Sequence, residues 1–277
     1  MEKHLLVCVR ADYTASYAVR FIRDFFHSPC DVRLTLFNVA PPKGSWGKGT
    51  LDKGRQLLEE TRKWFIDHSF CEESKIDIKS IQSRGNVTRE IVQEGHKGMY
   101  DAVILGRQTQ SVIEEFFEYS VGAKVIWEEI DFPLWFCKCP QEIPRKDILL
   151  CVDEDSPSQR IADHVGFMLG DNAGHDITML HVRNSKEKGS ATSEDIFRIT
   201  REHLEGNGVA PERIKELVVD GDDVVKAVLQ HTAKKPYAVV AVGRGKHDNT
   251  AIEKLFPRSL CVKFLHQLEG SALWISR

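Results

Sequence analysis

The residue types best suited to chemistry lie in two short segments of the second half of the chain. One is Val152-Asp153-Glu154-Asp155-Ser156-Pro157-Ser158, where a carboxylate directly follows an apolar run. The other runs from Gly243 to Ser259 and carries Arg244, Lys246, Lys254 and Arg258, opposed by Asp248 and Glu253. A glycine lets backbone N–H groups approach an anion closely, and a helix start adds its dipole. Cationic side chains supply charge-assisted hydrogen bonds where backbone contacts are missing. Gly243, Lys246, Arg258 and Ser259 thus read as an anion cradle. The bland readings stand beside this one. Ser259 precedes the apolar-periodic SLCVKFLHQL and suits a helix N-cap. Asp153 suits a cap or a turn. Lys246 and Arg258 could be solvated charges.

The matching places in the first half carry different chemistry. Arg10 follows the first apolar run, and the later loop reads GRQTQSVIEEFFEYS. Its Glu114, Glu115 and Glu118 repel phosphate. An anion is therefore expected in the second half and not in the first.

Other motifs fail on spacing. A P-loop through Gly49 would need glycine at Pro42, and one through Lys246 would need it at Val240. Cys137-x-Cys139 has no second pair at metal-ligand spacing and fits a strand with alternating faces. Cys8 and Cys151 read as small buried hydrophobes. The histidines form no i, i+4 metal pair, and neither a G-x-S-x-G elbow nor H-E-x-x-H occurs.

These loops are positioned by a repeat. Leu5–Val9 (LLVCV) matches Ile148–Val152 (ILLCV) at a spacing of 143 residues. DVRLTLFNV, ending at Val39, matches HDITMLHV, ending at Val182. RGNVTREIVQEGHKGMYDAVILGR matches DGDDVVKAVLQHTAKKPYAVVAVGR, and PLWFCK matches ALWISR. The divide falls in the proline-containing stretch around Cys139–Lys146, giving units 1–141 and 142–277.

Within each unit, short apolar runs alternate with amphipathic segments, which predicts an α/β fold with a five-stranded, mostly parallel sheet flanked by helices. Strands are expected near 4–9, 32–39, 76–83, 101–106 and 133–138, and near 147–152, 175–182, 213–219, 237–242 and 271–276. Helices are expected near 13–27, 51–69, 87–97 and 120–130, and near 157–170, 191–206, 222–233 and 259–267. Gly85 and Gly221 sit between strand and helix, where a left-handed backbone or a close approach suits glycine.

A first strand ending in Val152-Asp153, a glycine-led helix before the fourth strand and a glycine loop after it resemble the universal stress protein family. The resemblance spans both halves and implies a tandem member with two Rossmann-like, adenine nucleotide α-hydrolase-like domains. It implies ATP bound through G-x2-G-x9-G-[S/T] after strand four. In the first half the three glycine positions fall on Gly106, Thr109 and Tyr119, followed by Ser120. In the second they fall on Gly243, Lys246 and, displaced by two residues, Arg258, followed by Ser259. The aspartate the family sets against adenine matches Asp153. The resemblance also implies an intramolecular pseudo-dimer joined through the last strand of each half, with Trp135 and Trp274 contributing apolar area, and a further homodimer.

Composition bounds the function. Of the 277 residues, 42% are hydrophobic and 29% charged, which describes a globular chain and excludes a disordered one. The net charge of −3 leaves no basic excess for a nucleic-acid partner. No run reaches the roughly 18 apolar residues of a membrane span, and the N-terminus reads as no signal peptide. Odd cysteine usage without framework spacing favours reduced thiols, and a cytoplasmic location is expected. The leading expectation is a stress-linked binding or regulatory protein, with ATP or another anion at most in the second half. The alternatives are a protein-interaction module without ligand and a weak ATPase; no residue is assigned to catalysis.

Overall fold

A computed structural model of the protein describes residues 1–10, 17–26, 31–42, 51–106, 128–137, 144–183, 191–244 and 259–277. The chain divides into two compact units, Met1–Pro140 and Gln141–Arg277. Unit 1 contains β1 (Lys3–Cys8), α1 (Tyr17–Phe25), β2 (Val32–Ala40), α2 (Leu51–Asp67), β3 (Ile76–Gln82), α3 (Val87–Lys97), β4 (Ala102–Gly106) and β5 (Leu134–Cys137). Unit 2 contains β6 (Ile148–Cys151), α4 (Ser156–Leu169), β7 (Ile177–Arg183), α5 (Ser193–Gly206), β8 (Ile214–Asp220), α6 (Val224–Lys234), β9 (Val239–Gly243), α7 (Ser259–Gln267) and β10 (Ala272–Ser276). Of the helix expected near 120–130, only the C-terminal end lies among the described residues.

Both units use one strand order. It is β3-β2-β1-β4-β5 in unit 1 and β8-β7-β6-β9-β10 in unit 2, and the strands pair in parallel. Central strands are apolar because helices cover both faces. Val103, Ile104 and Leu105 of β4 and Val239, Val240 and Ala241 of β9 are fully buried. The edge strands β3 (IDIKSIQ) and β8 (IKELVVD) alternate instead, with charged residues on their exposed positions. Such charges protect a sheet edge from pairing with another chain.

The helices are set by their apolar stripes and caps. In α1, Ala18, Val19, Ile22 and Phe25 form one buried face. Asn86 caps α3 by accepting from the Arg89 N–H at 2.7 Å, and Asp223 caps α6 from the Lys226 N–H at 3.0 Å. Thr192 and Asp195 close a reciprocal capping box on α5. The last strands pack on the first helix of their own unit. Trp135 of β5 meets Phe21 edge-on at 6.2 Å, and Trp274 of β10 meets His164 at 5.7 Å. Phe21 and His164 are 143 residues apart and equivalent in the repeat.

The strand order reverses beside the first strand of each unit. β1 lies between β2 and β4, and β6 between β7 and β9. In an open parallel sheet this is where the carboxyl ends of the strands open a crevice. The residues after β6 and at the ends of β7 and β9 therefore decide what unit 2 can bind there.

Candidate functional site

At the carboxyl edge of unit 2, the first two strands are locked end to end. The Val152 N–H donates to the Leu180 carbonyl at 2.9 Å. The Val152 carbonyl accepts from His181 Nδ1 at 3.1 Å. A carbonyl only accepts, so Nδ1 carries the hydrogen, and in the neutral ring Nε2 is then an acceptor. His181 is half-buried, with Phe197 of α5 edge-on to its ring at 6.4 Å.

Asp153 comes next, and both of its turn contacts are local. Its N–H donates to Ser158 Oγ at 2.9 Å, and its Oδ1 accepts from the Asp155 N–H at 3.0 Å. This is an Asx turn leading into α4, so the turn-holding role expected for Asp153 is present. The second carboxylate oxygen has no hydrogen-bond partner among the described residues. The residue as a whole is exposed, yet desolvation raises its carboxyl pKa above the ordinary value. The Asp155 N–H and the charge of His181 pull the other way. An incompletely satisfied carboxylate at a strand end, held at a desolvation cost, is a binding-site signature.

Gly243 closes β9 against the start of α4. A Cβ there would lie 2.5 Å from the carbonyl carbon and oxygen of Pro157 and 2.8 Å from the Ser158 N. The backbone of the fourth strand thus touches the backbone of the first helix, and only glycine fits. Gly106 makes a looser version of the same approach, with its Cβ position 3.3 Å from the Ala18 N. The first glycine of each loop is therefore required by helix–strand packing. Arg244 is buried and donates its N–H to the Ser276 carbonyl at 2.7 Å. It is a core-anchored cation and not a solvated loop charge. Burial raises the Cys261 thiol on α7 to about 11, and Arg244 opposes that rise.

Of the other expected site residues, Lys246 and Arg258 lie outside the described residues, as do Lys254, Asp248 and Glu253. Ser259 is the first residue of α7. In unit 1, Glu114, Glu115, Glu118 and Ser120 likewise lie outside them.

Two glycine readings separate on geometry. Gly85 has φ +151°, a backbone that L side chains avoid. Gly221 has neither a positive φ nor a close neighbour, since its Cβ position is 3.7 Å from the nearest atom. The expectation that both need glycine is corrected for Gly221.

His181 was not among the residues that motifs single out. Its signal is the repeat: Asn38 stands 143 residues earlier, and its Nδ2 donates to the Val9 carbonyl at 2.7 Å. The units share the lock but present it differently. Asn38 is buried, with its Oδ1 beneath Gly54 of α2. The exposed residue after it on the first strand is Arg10, where unit 2 has Asp153. Among the described residues, no group of three His, Cys, Asp or Glu is placed to hold a metal ion. No helix there is long and apolar enough to cross a membrane.

No family model matches the chain, and no curated protein matches it. Solved structures do. A universal stress protein from Archaeoglobus fulgidus aligns with 99% of this chain and 98% of its own, at 13% identity and a TM-score of 0.68. A Pseudomonas aeruginosa protein described as a universal stress protein covers 99% and 93%, at 13% identity and a TM-score of 0.57. A shorter universal stress protein in complex with cAMP matches 49% of this chain and 98% of its own, at 16% identity and a TM-score of 0.39, too low to carry ligand chemistry across. Two α/β units of one strand order, matched along nearly their whole length, have the fold of a tandem universal stress protein.

Proposed function

We propose that the chain is a cytoplasmic, stress-linked binding and regulatory protein whose second unit takes an adenine nucleotide or a related anion. The first unit is ligand-free in this reading, and neither unit is catalytic. The observation that carries it is the divergence of one position. Asp153 follows the first strand of unit 2 with one carboxylate oxygen tied into a turn, and Arg10 stands there in unit 1. Lys246, Arg258 and the helix start at Ser259 supply the anion-facing groups that the sequence pattern calls for. Unit 1 has an acidic loop at the matching place.

The test is calorimetric titration of the full chain with ATP, with and without Mg2+, against Asp153→Asn and Lys246→Ala. Removing one charge-assisted contact costs about 1.5–3 kcal/mol, so Lys246→Ala should weaken binding roughly 10- to 100-fold. Asp153→Asn should weaken it by at least about tenfold on the same grounds. Binding unchanged by both variants would place the ligand elsewhere and overturn the reading. Gly243 is a poor probe, because a side chain there disturbs the fold itself.

A further inference from the structure

We infer that His181 is a specificity residue: with Asp153 it forms a double acceptor that selects a base bearing an exocyclic amine over its keto counterpart. The inference rests on the nucleotide reading of unit 2 and adds what reads the base. Three observations carry it.

The first is the fixed tautomer. Nδ1 of His181 is committed as donor to the Val152 carbonyl, so neutral His181 offers only a lone pair at Nε2. The second is the carboxylate. Asp153 follows Val152 directly and has one oxygen tied to the Asp155 N–H, which leaves the other as an acceptor. The two groups are close enough for the charge of His181 to act on the Asp153 carboxyl. An amine carries two hydrogens and meets two acceptors, whereas a keto oxygen faces two lone pairs with none to share. Rejection of the wrong partner is strong where it leaves buried or half-buried polar groups unpaired.

The third observation is the contrast with unit 1. There the equivalent Asn38 also caps the first strand, but its remaining oxygen is packed beneath Gly54 and its neighbour is Arg10. The same lock presents no pair of acceptors. The selectivity therefore belongs to unit 2, and the residue that confers it is the one that replaced asparagine.

The experiment compares ATP with ITP, which differs by an oxygen in place of the 6-amine and by a hydrogen on N1. Wild-type protein is titrated with each at fixed Mg2+, and the same is done for His181→Asn and His181→Phe. Asparagine keeps the cap on Val152 as Asn38 does on Val9; phenylalanine keeps the ring beside Phe197 and removes both nitrogens. Wild type should prefer ATP by at least about tenfold, the loss expected when a hydrogen bond is replaced by two opposed acceptors. The preference should fall several-fold in whichever variant retains a wild-type melting transition. Equal affinity of wild type for ATP and ITP overturns the inference and leaves the nucleotide reading standing. A full ATP preference in a folded His181 variant also overturns it. Failure of wild type to bind either nucleotide overturns both.

Discussion

Replacing Gly243 with alanine tests the claim that this glycine serves packing before it serves any ligand. The added Cβ would sit 2.5 Å from the Pro157 carbonyl carbon and oxygen and 2.8 Å from the Ser158 N. Carbon contacts are comfortable at about 3.5–4.0 Å, so roughly 1 Å of separation must be found. The obstructing atoms are backbone at the first turn of α4, and no rotamer can relieve them. Overpacking of this kind costs about 1–3 kcal/mol, and a backbone clash belongs at the upper end. With unfolding entropy near 2.1 cal/mol/K per residue, a unit of this length should melt about 7–10 °C lower for a loss of 2–3 kcal/mol. Calorimetry gives the midpoint, and hydrogen exchange should place the loss in α4 and β9. Two controls grade the effect. Gly106→Ala, with 3.3 Å to the Ala18 N, should cost about 1 kcal/mol or less, and Gly221→Ala should cost nothing or stabilise by about 0.4–1 kcal/mol. Wild-type stability in Gly243→Ala, or equal losses at all three positions, would refute the packing argument.

Two further predictions concern stability alone. Burial holds the His164 imidazole neutral, with its pKa lowered from 6.5 to about 3. Above pH 6.5 neither state binds this proton; below it the unfolded chain does and the folded one does not, so stability falls with acid down to about pH 3. The loss should reach about 2 kcal/mol at pH 5 relative to pH 8. His164→Phe, which places in unit 2 the residue unit 1 has at Phe21, should remove that component in urea titrations across this range; an unchanged slope contradicts the assignment. Arg213 spans the turn after α4, donating to the carbonyls of Leu169, Asn172 and His175 at 2.7–3.2 Å. Arg213→Met should cost about 2 kcal/mol, and Arg213→Lys should recover only part, since an ammonium cannot span three carbonyls in a fixed fork. Full recovery in the lysine variant, by urea midpoint, would show that charge alone is needed.

What the sequence made legible follows from which forces are local. The fourth strands were expected at 101–106 and 237–242 and run Ala102–Gly106 and Val239–Gly243, because a doubly covered parallel strand must be apolar along its whole length. The apolar run starts early at Tyr237 and Ala238 because these residues are buried before the ladder begins; the Ala238 N–H is spent on carbonyls of Lys146 and Asp147. Glycines were less legible. Gly85 and Gly221 occupy the same place in the repeat, yet only Gly85 has a backbone that demands glycine. Gly243 was read as a ligand glycine from its loop, while its constraint comes from Pro157, far away in sequence. His181 was the least legible of all. A histidine in an apolar strand is ordinary until its Nδ1 is seen to be spent on the Val152 carbonyl. The duplication offers the remedy, because equivalent positions can be compared within one chain. Asn38 and His181, Phe21 and His164, and Glu94 and His231 are such pairs, and in each the second unit has histidine. Their partners are kept: the strand-end carbonyl for the first, the tryptophan of the last strand for the second, and Tyr100 or Tyr237 for the third. A substitution that keeps its partner while gaining a titratable ring preserves the fold and changes the chemistry offered there. Fold similarity alone cannot reveal that difference, and in this chain it is largest at the carboxyl edge of unit 2.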